Sequence, residues 1–251
     1  MADPTEHGIP RAVAIAWGMV QTPQRGPSRG MSHEQIVAAG IEIADAGGLA
    51  AVTMQRVAES LGFTTMSLYR YVSSKDDLLL LMQDAATRLP AAPWPPEEEW
   101  QAGIRRLAGE LREAYRRRPW LLELPRNQTT LLMPNSMAVV DRALSVMAPL
   151  RLDMSQKVAV VMNISMMAIA YAQLELELSG SSRVAVDPAG LSQLADVIGA
   201  ERFPALAPLL EDGEWIGGGY AGASSDVDVE LAMGLEWIIA GIERLDAAGG
   251  A

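Results

Sequence analysis

Polar and aromatic side chains are concentrated in a short segment that follows Gly62. Its hydroxyl, phenol and guanidinium groups belong to Thr64, Thr65, Ser67, Tyr69, Arg70 and Tyr71. Donors and acceptors near the start of a helix are what contacts to base edges and phosphates in a DNA major groove require. The residue types therefore predict a nucleic-acid contact surface. The alternatives are a purely structural corner and a core position for Tyr69.

Two short helices are needed to position this surface. Thr53 is a suitable N-cap for the first, over residues 54–61, and the second is predicted over residues 65–71. Gly62 lies between them and can adopt a positive φ without a Cβ clash, which allows a tight turn. The apolar side chains expected to lock the two helices together are Val57, Ala58, Leu61, Leu68 and Val72.

Charge and residue counts exclude most enzymatic chemistry. The net charge is −11, but residues 11–75 sum to +2 and residues 91–251 to −9, so the acidity lies away from the predicted contact surface. The chain has no Cys and two His, and it lacks a Gly-rich phosphate loop with a following Lys. No enzymatic activity, cofactor or metal site is expected.

The chain is predicted to be all-α, because no segment shows sustained alternation of apolar and polar residues. Residues 1–31 form a basic arm with room for a short helix. Residues 32–89 follow as a helix-turn-helix domain whose first helix begins with capping-box spacing over residues 32–35, and whose fourth covers residues 74–89. A Pro-rich boundary separates this domain from a larger domain over residues 97–251.

The stretch over residues 32–82 resembles the helix-turn-helix domain of the tetracycline-repressor family of transcription regulators. The resemblance rests on Val57-Ala58, Leu61-Gly62, Ser67-Leu68-Tyr69, Tyr71-Val72 and Ser74-Lys75-Asp76-Asp77-Leu78. A looser resemblance to the family's ligand domain covers residues 115–125. It implies a cytoplasmic, homodimeric repressor that binds a palindromic operator and is released by a small apolar or drug-like effector. The alternative is a ligand-independent regulator or an activator.

The resemblance also implies roles for individual residues. Thr53, Gln55, Tyr69 and Lys75 are expected to anchor phosphates, and Thr65, Met66, Ser67 and Tyr71 to lie nearest the bases. Gln55 and Met66 depart from the residues common in the family, which is expected to alter operator preference. Arg25 and Arg29 in the arm either contact DNA or belong to a solvated linker.

An apolar effector pocket is predicted in the second domain, which is rich in Met. Its expected lining is Tyr115, Trp120, Leu124, Asn127, Met133, Met137, Met162, Asn163, Met166, Met167 and Tyr171. An ordinary core that uses Met is the alternative for each methionine taken alone. Asn163 interrupts an apolar helix, where a buried amide would need hydrogen-bonding partners.

Two long helices of the second domain, over residues 153–178 and 226–245, resemble the pair that forms a four-helix dimer interface in this family. Packing within one chain would explain the same apolar pattern. The apolar stretch over residues 158–174 is short for a membrane span of about 20 residues, so we expect a buried core helix and no membrane association. A further helix is predicted over residues 188–198.

Overall fold

A computed structural model describes residues 8–20, 31–90, 99–179, 202–205 and 223–249, and these contain helices and no strand. The α-helices are α1 (Arg11–Ala16), α2 (His33–Gly47), α3 (Met54–Ser60), α4 (Thr65–Leu68), α5 (Lys75–Ala86), α6 (Trp100–Arg117), α7 (Gln128–Leu131), α8 (Pro134–Val146), α9 (Met154–Ser179) and α10 (Ala223–Ala248). Two 3₁₀ turns cover Leu49–Ala51 and Pro119–Glu123. The all-α prediction is confirmed. The helix predicted over residues 188–198 lies outside the described residues.

The chain divides into two compact units. The first contains Met1–Ile169 and Leu245–Ala251, and so includes α1 to α8. The second contains Ala170–Arg244, with the end of α9 and most of α10.

Side-chain caps fix the starts of the N-terminal helices. The hydroxyl of Ser32 accepts the backbone N–H of Gln35, whose side chain accepts the backbone N–H of Ser32. This reciprocal pair is the predicted capping box. Helices α3, α4 and α5 have simpler caps, in which the hydroxyl oxygens of Thr53, Thr64 and Ser74 accept the backbone N–H three residues on. Each cap typically contributes about 1 kcal/mol, so these short helices depend on them for stability.

The helix-turn-helix has the predicted apolar core. Val57, Ala58, Leu68 and Val72 are fully buried, whereas Leu61 is half-buried. Helix α2 crosses α5 closely at Gly40, where an added Cβ would lie 2.6 Å from the Met82 Sδ. The absence of a side chain at Gly40 therefore permits this packing.

Helix α1 provides a packed element within the predicted basic arm. Its residues Ala12, Val13, Ala14 and Ile15 are buried, and the helix packs against α5. An apolar segment of this length is too short to show a helical period in the sequence. The remainder of the arm, with Arg25 and Arg29, lies outside the described residues.

The expectation of a buried core helix over residues 158–174 is wrong. Helix α9 is long and apolar enough to cross a membrane by length and composition, as core helices of soluble proteins also can be, but only 28% of its most apolar window is buried. Met154, Val158, Met162 and Met166 are exposed along one side at a spacing of four residues. Apolar residues occur on all sides of α9, so periodicity does not distinguish the packed side from the open one.

Candidate functional site

The segment that follows Gly62 presents the expected polar side chains from a short helix. Gly62 has φ 76°, a conformation that L-residues with side chains seldom adopt, and it turns the chain from α3 into α4. Thr64 caps α4 by accepting the backbone N–H of Ser67. The hydroxyls of Thr64 and Ser67 also lie 2.9 Å apart, within hydrogen-bonding distance. This local bonding fixes where both hydroxyls point.

The opposite side of α4 is open. Met66 is 75% exposed and Tyr69 is 45% exposed, while Leu68 between them is fully buried. Arg70 is exposed, and Thr65 is half-buried. Leu68 thus anchors a helix whose other side chains remain available for a partner. Alternating burial of this kind excludes a core position for Tyr69.

Tyr71 occupies a more enclosed place than its neighbours. Its ring is half-buried and meets the His33 ring edge-on, with centroids 5.8 Å apart. The carbonyl of Tyr71 lies 3.1 Å from His33 Nε2, which can donate a hydrogen bond to it. No local pattern predicts this contact, because His33 precedes Tyr71 by 38 residues. His33 therefore supports the end of the segment that carries the polar surface.

The residues expected to hold phosphates surround this helix. Thr53 and Gln55 are exposed at the start of α3, and Gln55 donates to Glu59 Oε1 at 2.8 Å. Lys75 is exposed in the first turn of α5. Arg56, which was not among the predicted contacts, is exposed beside Gln55 and adds a second cation. Arg56 could have been predicted as a phosphate contact, because it lies in the first turn of α3 next to Gln55.

The predicted effector-pocket residues differ in their burial. Tyr115, Trp120, Leu124 and Met133 are buried, and Met167 and Tyr171 are half-buried. The exposed members are Asn127, Met137, Met162, Asn163 and Met166. Asn163 is not a buried amide, since its side chain is exposed and donates to the Ala159 carbonyl one turn earlier in α9. Burial and the charge of Glu230 raise the pKa of Tyr171.

Trp120 has a structural partner instead of a free indole. Its Nε1 donates to Asp45 Oδ1 at 2.7 Å, and Arg118 Nε donates to the other carboxylate oxygen at 3.2 Å. Asp45 belongs to α2, so this carboxylate joins the helix-turn-helix domain to the turn that follows α6.

A second connection runs from α5 to α8. Asp84 is only 8% exposed, and its two carboxylate oxygens accept the backbone and side-chain N–H groups of Asn135, each at 2.8 Å. Asn135 lies in the first turn of α8, where the helix dipole favours an anion. Asp45 and Asp84 together fix the helix-turn-helix domain onto the rest of the first unit.

A cleft of about 440 Å³ lies between α5 and the segment that leads into α7. It is lined by Pro10, Asp76, Asp77, Leu79, Leu80, Gln83, Leu124, Pro125, Asn127, Thr129 and Thr130. Of the predicted effector-pocket residues, Leu124 and Asn127 line it. Within the described part of the chain, no cluster of three or more His, Cys, Asp or Glu side chains could hold a metal ion.

Comparison with known proteins identifies this arrangement. The family described as bacterial regulatory proteins, tetR family, matches residues 36–82, and the tetracyclin repressor-like C-terminal domain matches residues 92–245. The chain belongs to the TetR family. Residues 36–82 contain the capped helices and Gly62 turn described above, so the family's helix-turn-helix coincides with the exposed polar segment.

Individual relatives agree with the TetR assignment. The HTH-type transcriptional repressor DrrR1 of Streptomyces coeruleorubidus is 31% identical over 246 residues, covering 95% of this chain and 87% of the relative. Apo ActR of Streptomyces coelicolor has a TM-score of 0.67 at 26% identity, covering 89% of this chain and 98% of that one. ActR in complex with actinorhodin has a TM-score of 0.68 at 24% identity, covering 86% and 96%. The TetR chain described here is a DNA-binding transcription regulator of the repressor type, not an enzyme.

Proposed function

We propose that this TetR-family protein binds a palindromic operator as a homodimer in the cytoplasm and leaves it when a small apolar or drug-like effector binds. The observation that carries the DNA-binding part is the α4 surface. Leu68 is fully buried while Met66 and Tyr69 stand open on either side of it, so a rigid anchor holds the exposed groups. Preorganised side chains lose less entropy on binding than mobile ones.

The exposed residues divide into two groups by the contact they would make. Thr65, Met66, Ser67 and Tyr71 are proposed to lie nearest the bases, where thioether and methyl groups can contact the thymine methyl. Thr53, Gln55, Tyr69, Arg70 and Lys75 are proposed to hold phosphates, which position the protein without reading sequence. Residues 11–75 carry a net charge of +2, whereas residues 91–251 carry −9. The positive charge therefore lies in the part of the chain that holds the proposed phosphate contacts.

Two exposed apolar rows support the dimer. The α9 row, defined as Met154, Val158, Met162 and Met166, is matched by an α10 row of Val229, Met233 and Trp237, also spaced by four residues. Exposed apolar side chains in such rows mark surfaces that a partner covers. A second copy would pair each row with its symmetry mate, as in a closed two-fold dimer. The two α4 helices would then reach successive major grooves about 34–36 Å apart.

Effector release is proposed to act through the connections of Asp45 and Asp84. Both are polar contacts between the helix-turn-helix domain and the helices of the ligand domain, so a shift of α8 or of the turn after α6 would move α2 and α5. ActR, which shares this fold, has been crystallised with actinorhodin. An effector releases DNA only to the extent that it binds the non-DNA state more tightly.

Fluorescence anisotropy with duplexes from the DNA flanking the gene tests the contact surface. Lys75→Ala should weaken binding to every duplex and lower the salt dependence, because one phosphate contact is lost. Arg117→Ala is the matched control, since it removes one exposed positive charge from α6. Equal losses in the two variants, or none in Lys75→Ala, would place the contact surface elsewhere.

A further inference from the structure

The cleft beside α5 has features of a ligand site that are independent of the DNA surface. Asp76, Asp77, Leu80 and Gln83 follow one another along one side of α5, and they face Leu124 and the start of α7 across the cleft. Its volume of about 440 Å³ lies within the range of small-molecule sites, roughly 300–1,000 Å³. Both walls belong to the first unit.

Gln83 shows that the cleft contains a polar group without a protein partner. The residue is only 5% exposed, and among the described residues its side-chain amide has no hydrogen-bonding partner. The amide atoms are not among the fully buried side-chain atoms that lack a partner, so they remain accessible from the cleft. Its place in the cleft lining supplies a direction from which a ligand can satisfy it.

The charge of the lining defines the ligand class. Asp76 and Asp77 contribute two carboxylates, and no described ion pair involves either of them. No Lys or Arg occurs among the residues that line the cleft. Leu79, Leu80 and Leu124 supply an apolar wall beside the carboxylates. A ligand that fits would carry a positive charge at one end and an apolar body at the other.

We propose that this cleft binds a small organic cation, an amine or ammonium group on an apolar body. The cation lies against Asp76 and Asp77, and an amine N–H donates to the side-chain carbonyl oxygen of Gln83. The apolar body lies against Leu80 and Leu124. The cleft shares Leu124 and Asn127 with the predicted Met-rich pocket, but none of that pocket's methionines lines it. Because it bridges α5 and the segment before α8, an occupied cleft holds the helix-turn-helix domain in one arrangement, and this regulatory consequence rests on the proposed operator binding.

Calorimetry on the full chain without DNA tests the site, with 4-phenylbutylamine as the probe and 4-phenylbutan-1-ol as its neutral counterpart. The amine should bind saturably at one site per chain and at least tenfold more tightly than the alcohol. The double variant Asp76→Asn/Asp77→Asn should lose at least tenfold in amine affinity. Glu113→Gln/Asp141→Asn removes two exposed carboxylates from α6 and α8 and should bind like wild type.

Gln83→Leu provides a second variant that leaves the α5 N-terminus intact, and it should weaken amine binding while circular dichroism shows an unchanged fold. The absence of saturable heat up to about 10 mM amine, equal affinity for the alcohol, or full affinity in the Asp76/Asp77 variant would overturn the site. Operator titrations with and without amine test the regulatory consequence separately. Amine binding that leaves operator affinity unchanged would overturn that consequence alone, and failure to bind any operator would overturn the proposed function alone.

Discussion

The connection between Asp84 and Asn135 is expected to contribute measurably to stability. Asp84→Ala removes a buried carboxylate that accepts two N–H groups at 2.8 Å and leaves both N–H groups of Asn135 without that acceptor. Hydrogen bonds to charged groups contribute about 1.5–3 kcal/mol each, and the desolvation of Asp84 offsets part of that sum. We therefore expect the free energy of unfolding to fall by about 2–4 kcal/mol.

Urea denaturation followed by circular dichroism measures this loss. All variants should be compared at one protein concentration, because dimer formation makes the apparent stability depend on it. Asp141→Ala in α8 is the matched control, since Asp141 is exposed and its substitution should change stability by no more than about 0.5 kcal/mol. A loss for Asp84→Ala no larger than that of the control would refute the reasoning that this contact fastens α5 to α8.

Three further predictions concern pH, the helix turn and the dimer. Burial raises the pKa of Asp84 above its ordinary value of 3.8, so protonation of Asp84 favours the folded state; this pH-dependent gain is complete below 3.8 and is lost as the pH rises through the raised value. Wild type should therefore gain stability relative to Asp84→Asn on acidification from pH 7, and a constant difference in urea midpoints would contradict this. Gly62→Ala should lower the thermal midpoint, since φ 76° costs a side-chain residue about 1–2 kcal/mol, and an unchanged midpoint would show that the turn tolerates a Cβ. Met162→Lys should shift the protein toward monomer in light scattering, whereas the exposed control Met137→Lys should not. If the Met162→Lys variant remained a dimer, the α9 row would not belong to the interface.

The helix-turn-helix could be predicted from sequence because local rules determine most of it. Caps at Thr53 and Ser74 satisfy backbone groups within three residues, and the Gly62 turn depends on one residue's φ. Residues such as Val57 and Leu68 were then identifiable as core by elimination. Interactions between residues this close in the sequence can be predicted from one sequence.

Contacts between distant residues were not predictable in the same way. Trp120 is a large aromatic residue of the kind that lines ligand pockets, but its indole N–H donates to Asp45, 75 positions earlier in the chain. Asn163 interrupts an apolar stretch, a pattern that predicts a buried amide, but its side chain is exposed and donates to the Ala159 carbonyl. The cleft beside Gln83 likewise depends on how α7 lies against α5, which no periodicity records.

The most direct test of the DNA-binding proposal is selection of binding sites from randomised duplexes by wild type and by Met66→Ala. Met66 is the most exposed residue of α4 and is proposed to lie nearest the bases. The wild-type protein should enrich two inverted half-sites with centres about 10 base pairs apart, and Met66→Ala should change the preferred base at symmetric positions in both. Identical motifs for the two proteins would contradict base contact by α4, and a single unpaired half-site would contradict the dimer.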